Sequence, residues 1–162
     1  MAAIKFKSSG VQTDNPDLIR KIETPPVGIK TPVELGMGRS GIFQMNFNSI
    51  DQVADNLKNL VLTNFGERLG NYYYGANLRP LTAEVSNQED FDAEAMLRIQ
   101  TAVRNFMPYV ELETFNSNFD KFSRPTEGSS SGISIITLTV KYAVPQLRVS
   151  GKGIDVSLYC IG

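Results

Sequence analysis

Residues 133–160 read ISIITLTVKYAVPQLRVSGKGIDVSLYC, and the fold class turns on this stretch. Ile133 to Val144 is long and rich in β-branched residues. Ile136, Leu138, Val140 and Tyr142 fall at alternate positions, so an extended chain places them on one face. Gly151 and Gly153 mark a turn in this reading. Beyond them Ile154, Val156, Leu158 and Cys160 alternate again, with Cys160 read as a small core residue. Just upstream, Val110, Leu112 and Thr114 alternate with Glu111 and Glu113. The segment from Phe115 to Ser131, with Pro125, Gly128 and a serine run, reads as a polar loop. The C-terminal third is therefore expected to hold three or four strands.

The period changes upstream. Ile50, Val53, Ala54, Leu57, Leu60 and Val61 repeat at helical spacing and make one apolar face. Asn48 or Ser49 supplies an N-cap, Asp51 and Asp55 favour the positive end of the dipole, and the helix is expected to run out around Asn64. A second helix opens on Glu89, Asp90, Asp92 and Glu94, buries Met96, Ile99, Val103 and Phe106 with Ala95 and Ala102 beside them, and stops at Pro108. Between the helices, 66–86 is irregular and holds Gly66, Gly70, Gly75 and Pro80, with a short turn at 78–81. Helices first and strands last predict an α+β fold, two main helices packed on one face of a small mixed or antiparallel sheet.

Residues 1–47 differ from the rest. They carry four of the eight prolines and five of the thirteen glycines, and only Phe43, Met45 and Phe47 alternate like a strand. Their net charge is +2, six cations against four acids, and the remaining residues carry −3. Val11, Leu18, Ile22, Val27, Ile29, Val33 and Leu35 make the segment richer in aliphatics than a disordered tail. It reads as an extended N-terminal arm that lies on a partner, followed by a domain spanning 48–162.

Composition excludes several chemistries. With no His in 162 residues, no triad with an imidazole base exists, and with one Cys there is neither a Cys/His zinc site nor an internal disulfide. No apolar run approaches the roughly 18 residues of a membrane span. Residues 1–10 lack the apolar stretch of a signal peptide, so synthesis in the cytoplasm is expected. A net charge of −1 gives no general attraction to nucleic acid.

Three stretches invite a functional reading beside a structural one. Gly66-Glu67-Arg68 reads as a left-handed helix cap followed by solvated charges, or as an electrostatic bracket in which Arg68 makes a forked contact to a carboxylate or to carbonyls. Tyr72-Tyr73-Tyr74-Gly75 places three rings in a row; they cannot all face one way, so at least one is expected at the surface or against a partner. Arg104 near the end of the second helix suits the negative end of its dipole. For glycoside hydrolysis, Glu67, Glu84, Glu111 and Glu113 qualify by type, but no spacing singles out a pair.

Together, Leu62-Thr63, Gly66-Glu67-Arg68, the aromatic run ending at Gly75, and Ile99 with Ala102-Val103-Arg104-Asn105 and Pro108 before a β-rich end resemble the lysozyme-like baseplate wedge family of contractile-tailed bacteriophages, with relatives in type VI secretion baseplates. The resemblance covers about 48–162. Met107-Pro108-Tyr109 stands where the family often has an acid, a proline and an arginine, so no role is carried over to that triplet. The resemblance implies a non-enzymatic virion subunit of the tail baseplate. Its expected partners are other wedge proteins, the tail sheath protein and tail tube or hub proteins, with no cofactor or metal. It would offer a sheet edge that initiates sheath assembly. Gly66, Glu67, Arg68, Tyr73, Tyr74, Gly75 and Arg104 are its expected structural or interface residues. The family name also records a lysozyme assignment, so the alternative is a peptidoglycan-degrading glycosidase. Glu67 beside Arg68 is expected to have a lowered pKa, which suits a general acid poorly.

Overall fold

The computed structural model describes residues 25–36, 42–84, 88–120 and 133–161. A small hairpin, β1 (Gly28–Ile29) and β2 (Met45–Asn46), precedes helix α1 (Ser49–Leu62). A loop and the one-turn helix α2 (Leu81–Glu84) lead to α3 (Gln88–Phe106), and three strands follow: β3 (Glu111–Asp120), β4 (Ile133–Val144) and β5 (Val149–Ile161). The class is α+β, and β3-β4-β5 is an antiparallel meander with β4 in the centre.

Each helix starts where its chemistry allows. Asn48 is extended, and its side-chain oxygen accepts from the Ile50 N–H at 3.1 Å, which satisfies one of the free amides of the first turn. α1 ends at Leu62, two residues before the expected Asn64. The Thr63 hydroxyl and N–H both turn back to the Asn59 carbonyl, at 2.6 and 3.0 Å, and the backbone becomes extended there. Glu89 and Asp90 lie in the first turn of α3 and Arg104 in its last.

The core lies between the helices and one face of the sheet. Val53, Leu57, Leu60 and Val61 of α1 meet Ile136, Leu138, Val140 and Tyr142 of β4 and Ile154, Val156 and Leu158 of β5 in one buried cluster. The expected buried stripe of α3 needs correcting. Phe91, Ala95, Ile99, Ala102 and Val103 are buried, Phe106 is half-buried, and Met96 is 45% exposed. The two alanines let the helix sit close to its neighbours, which turns Met96 outward.

Two more expectations change in the sheet. Phe115 to Asp120 continues β3 instead of opening a loop, because Phe115 and Phe119 pack against the core while Asn116 and Asn118 face outward; 121–131 lie outside the described residues. Gly151 and Gly153 are not a turn. The chain reverses at Pro145–Leu147 and at Arg148, which is left-handed (φ 54°). Gly151, at φ +67°, sits in a bulge where the register slips between Tyr142 and Val144. β3 bulges at the same end, at Glu113, whose carboxylate accepts from the Gly151 N–H at 3.2 Å. The side chain of Cys160 and the residues Val11, Leu18 and Ile22 lie outside what is described. Among the described residues no helix is long and apolar enough to cross a membrane.

The hairpin extends past its two short strands. Leu35 bridges to Phe43, and Gln44 bonds both Lys30 (3.0 Å) and Glu34 (2.9 Å) through its backbone. Thr31 to Val33 bulge out between them. The hairpin is held on α1 by polar groups: buried Asn46 donates to Gln52 at 3.1 Å and to Asp55 at 2.8 Å, and the Thr31 N–H donates to Asp55 at 2.9 Å.

Candidate functional site

Six of the seven residues singled out by sequence fall in the loop that follows α1. Gly66 takes the left-handed conformation (φ +84°) but not as the cap of α1, whose end is three residues earlier at Thr63. It occupies a turn closed by the Glu67 N–H on the Asn64 carbonyl (3.2 Å), and its own N–H reaches the Tyr72 carbonyl (2.8 Å).

Glu67 faces back into this turn. One carboxylate oxygen accepts from the Asn64 N–H at 2.8 Å and the other from the Asn64 side-chain amide at 2.9 Å. These bonds hold the carboxyl below its usual range, aided by the charge of Arg79. The lowering is as expected; its source is Asn64, not Arg68. The Asn64 side-chain oxygen in turn accepts from the Arg79 N–H at 3.1 Å, so Asn64 ties the turn to the start of α2.

Arg68 does not make the forked contact to a carboxylate or carbonyl. Its guanidinium lies 4.0 Å over the ring of Tyr74, and among the described residues no carboxylate pairs with it. Tyr74 is half-buried, with the Phe106 ring 4.9 Å away on α3. Tyr72 and Tyr73 point outward, 63% and 70% exposed, stacked edge to face at 5.1 Å, and Phe65 stands edge-on to Tyr73 at 5.8 Å. One ring of the three enters the packing and two form a surface ridge with Phe65.

Gly75 is the tightest point of the loop. Its φ is +116°, and a Cβ there would collide with the Thr63 carbonyl oxygen. The next two amides pass along the end of α1: Ala76 donates to Leu60 at 3.1 Å and Asn77 to Thr63 at 3.2 Å. These bonds satisfy helix carbonyls that would otherwise be orphaned. Asn77 was missed by sequence reasoning although it carries a signal, since Asn is the residue that most readily replaces Gly at positive φ (here 52°). Its side chain accepts from the Phe65 N–H at 3.3 Å, and its carbonyl accepts from Arg98 at 2.8 Å, itself paired with Glu94 at 2.9 Å. The seventh residue, Arg104, is exposed on α3, and no hydrogen bond or ion pair joins it to this loop among the described residues.

The loop is thus a clamp and a surface. Among the described residues no three of His, Cys, Asp or Glu gather to hold a metal ion. Glu67 is exposed and stabilised as its anion; Glu111 and Glu113 are exposed on β3, and the side chain of Glu84 lies outside what is described. The second feature with binding capacity is the sheet. β5 runs thirteen residues and, among the described residues, pairs only with β4, so there its other edge has no strand partner. The sheet face away from the helices is polar, with Asn116, Thr139 and Asp155 in one row and Asn118, Thr137 and Ser157 in the next.

No family profile matches the sequence, and no curated protein matches it. Solved structures do. A chain of the anti-feeding prophage baseplate, determined with six-fold symmetry, superposes with a TM-score of 0.54 at 16% identity, over 75% of this chain and 91% of that one. A proposed tail lysozyme from Geobacter sulfurreducens gives a TM-score of 0.49 at 14% identity, over 70% and 91%. The α+β fold described above is the fold of that baseplate chain, as the sequence resemblance led us to expect.

Proposed function

We propose that the chain is a structural wedge subunit of a contractile-tail baseplate, joining inner baseplate proteins around the tail tube and offering the free edge of β5 to the first ring of sheath. The observation that carries this reading is a thirteen-residue edge strand with no strand partner on one side among the described residues, in a fold shared with a baseplate chain. Main-chain hydrogen bonds along such an edge give affinity with little demand on sequence. Many copies around a ring multiply weak contacts. The location that follows is the tail of the virion, and the partners are other wedge proteins, sheath, and tube or hub proteins.

The test is proline substitution at two β5 positions whose N–H points away from β4. Proline removes the donor while leaving the β4 pairing in place. Baseplates should form and remain without sheath. Sheath of normal length on such particles refutes the reading. We further propose that 48–162 folds alone and that 1–47 serves docking, because among the described residues the buried cluster begins at Val53. Deleting 1–47 should leave cooperative unfolding and lower incorporation into baseplates.

The glycosidase alternative needs a carboxyl kept protonated near neutral pH. Glu67 is perturbed the opposite way. Purified cell walls should clear no faster with the wild-type chain than with Glu67→Gln, and clearing that the substitution abolishes would reverse this choice.

A further inference from the structure

The N-terminal hairpin is amphipathic in the inverted sense. The register Gly28 to Asn46, Ile29 to Met45 and Leu35 to Phe43 puts Val27, Ile29, Leu35, Phe43, Met45 and Phe47 on one face. Gly28, Lys30, Glu34, Gln44 and Asn46 share the other, where Lys30 and Glu34 approach to 4.0 Å. The polar face is the one turned to the protein: Asn46 is 8% exposed and bonded to α1, and a Cβ on Gly28 would meet the Gln52 side chain. The apolar face is turned to solvent, with Val27 50%, Ile29 43%, Leu35 74%, Phe43 40% and Phe47 49% exposed. Beside the face, Val33 in the bulge is 61% exposed and Ile42 is 75% exposed.

We infer that this outer hairpin face is a preformed docking surface for an uncharged apolar face of an unlike protein of the assembly. The inference rests on the wedge-subunit reading, which supplies unlike neighbours, and adds to it a second surface separate from the β5 edge. Two features of the face select the occupant. First, its area: at roughly 150–200 Å² for a whole aliphatic or aromatic residue, the exposures above amount to about 500 Å² on the face and about 700 Å² with Val33 and Ile42. With Val33 and Ile42 it approaches the ~800 Å² each partner contributes to a standard interface and passes the roughly 300–600 Å² of the largest patch on a typical monomer. Second, its charge: none of the six side chains on the face is ionisable, and the charged Lys30 and Glu34 belong to the opposite face. An acidic or basic partner segment gains nothing there, and nucleic acid or an anionic lipid surface needs cations that the face lacks. Because the hairpin is already bonded to α1, docking incurs little ordering entropy.

The test uses the full-length chain in assembling particles. Leu35→Lys with Phe43→Lys adds two charges to the outer face. A second variant, Val27→Thr with Ile29→Thr, keeps β-branched shape and removes apolar surface. Both should melt within about 2 °C of wild type, since the altered side chains do not face the core. Both should lower incorporation into baseplates at least tenfold, while Leu69→Lys, at a fully exposed loop position, leaves it unchanged. Normal incorporation of both hairpin variants overturns the inference. So does a wild-type dimer in solution that Leu35→Lys with Phe43→Lys converts to monomer, because the occupant is then a second copy. So does a rise in dye binding at the hairpin when 1–24 are deleted, because the chain then covers its own face. A wild-type chain absent from purified particles removes the wedge-subunit reading itself, which separates the two failures.

Discussion

Replacing Gly75 by alanine should cost about 3–5 kcal/mol of stability, and the structure shows why the figure is large. At φ +116° a residue with a Cβ is strained by about 1–3 kcal/mol before any neighbour is considered. The new methyl would also meet the Thr63 carbonyl oxygen, a backbone atom that accepts from the Asn77 N–H at 3.2 Å. Relief requires the loop to lift from α1, loosening that bond and the bond from Ala76 to Leu60 at 3.1 Å, each of about 1 kcal/mol. The Leu60 end is fully buried, so its carbonyl cannot turn to water instead. Gly70→Ala is the internal control. Its φ of +83° carries comparable backbone strain, but no atom lies within 4 Å of the added Cβ. It should cost about 1 kcal/mol, partly offset by the stiffer unfolded chain. Urea unfolding followed by circular dichroism reads both, with an unchanged m-value as the sign that the unfolded state is the same. In thermal melts the Gly75 variant should lose on the order of 10 °C. Hydrogen exchange at the Ala76 and Asn77 amides should accelerate in that variant alone. Equal losses for the two variants, within about 0.5 kcal/mol, would show that strain acts without the collision and would refute the reasoning.

Three further predictions concern single contacts. Glu67 has a folded pKa below its value of 4.5 in the unfolded chain, so its contribution is fully present above about pH 4.5 and fades as pH falls through the folded pKa; the Asn64 amide resonance should shift there in wild type and not in Glu67→Gln. Arg68→Ala should cost only about 0.5–1 kcal/mol, the value of an exposed cation–π contact, in chemical denaturation; a loss above 2 kcal/mol would mean that Arg68 bears a contact other than Tyr74. Glu113→Ala should speed exchange of the Gly151 amide and leave the Ile154 amide unchanged, because the carboxylate bridges the two bulges at one end of the sheet.

The parts of this fold that were legible share one property: their side chains report one environment with one period. α1 alternates core and solvent every 3.6 residues, and β4 and β5 do so every two, so their element type follows from the pattern. The misread parts mix two demands. Phe115 to Asp120 resembled a loop because Asn116, Ser117 and Asn118 dominate its composition, yet Phe115 and Phe119 reach the core from alternate positions. Met96 looked buried because hydropathy ranks it above alanine; shape decided otherwise, with Ala95 and Ala102 in the tight contact. Gly151 looked like a turn because a left-handed glycine serves a bulge as readily as a reversal. In the loop, the bond between Glu67 and Asn64 spans three residues and is local enough to infer. The stacking of Arg68 on Tyr74 depends on the whole loop closing over α1, and no short-range pattern encodes that.

The same distinction bears on how a chain of this kind divides assembly from folding. Among the described residues the buried cluster draws on α1, α3, the sheet and the loop that joins the helices, and begins at Val53. Among the described residues, most of the large apolar side chains left exposed lie elsewhere, on the hairpin strands between Val27 and Phe47, at Leu62 at the end of α1, and on the loop from Phe65 to Tyr73. Because the hairpin meets α1 through Asn46, Gln52, Asp55 and Thr31, its attachment can be weakened without opening the core. Asp55→Asn separates the two. It keeps an acceptor for Asn46 and for the Thr31 N–H but removes the charge that strengthens both bonds. The global unfolding free energy should change by no more than about 1 kcal/mol, because the hairpin adds little to the core. Exchange of the Thr31 amide should accelerate several-fold, reporting local release of the hairpin. If instead that amide exchanged only through global unfolding, in wild type and variant alike, hairpin and core would be one cooperative unit, and the division between a folding core and a docking element would not hold.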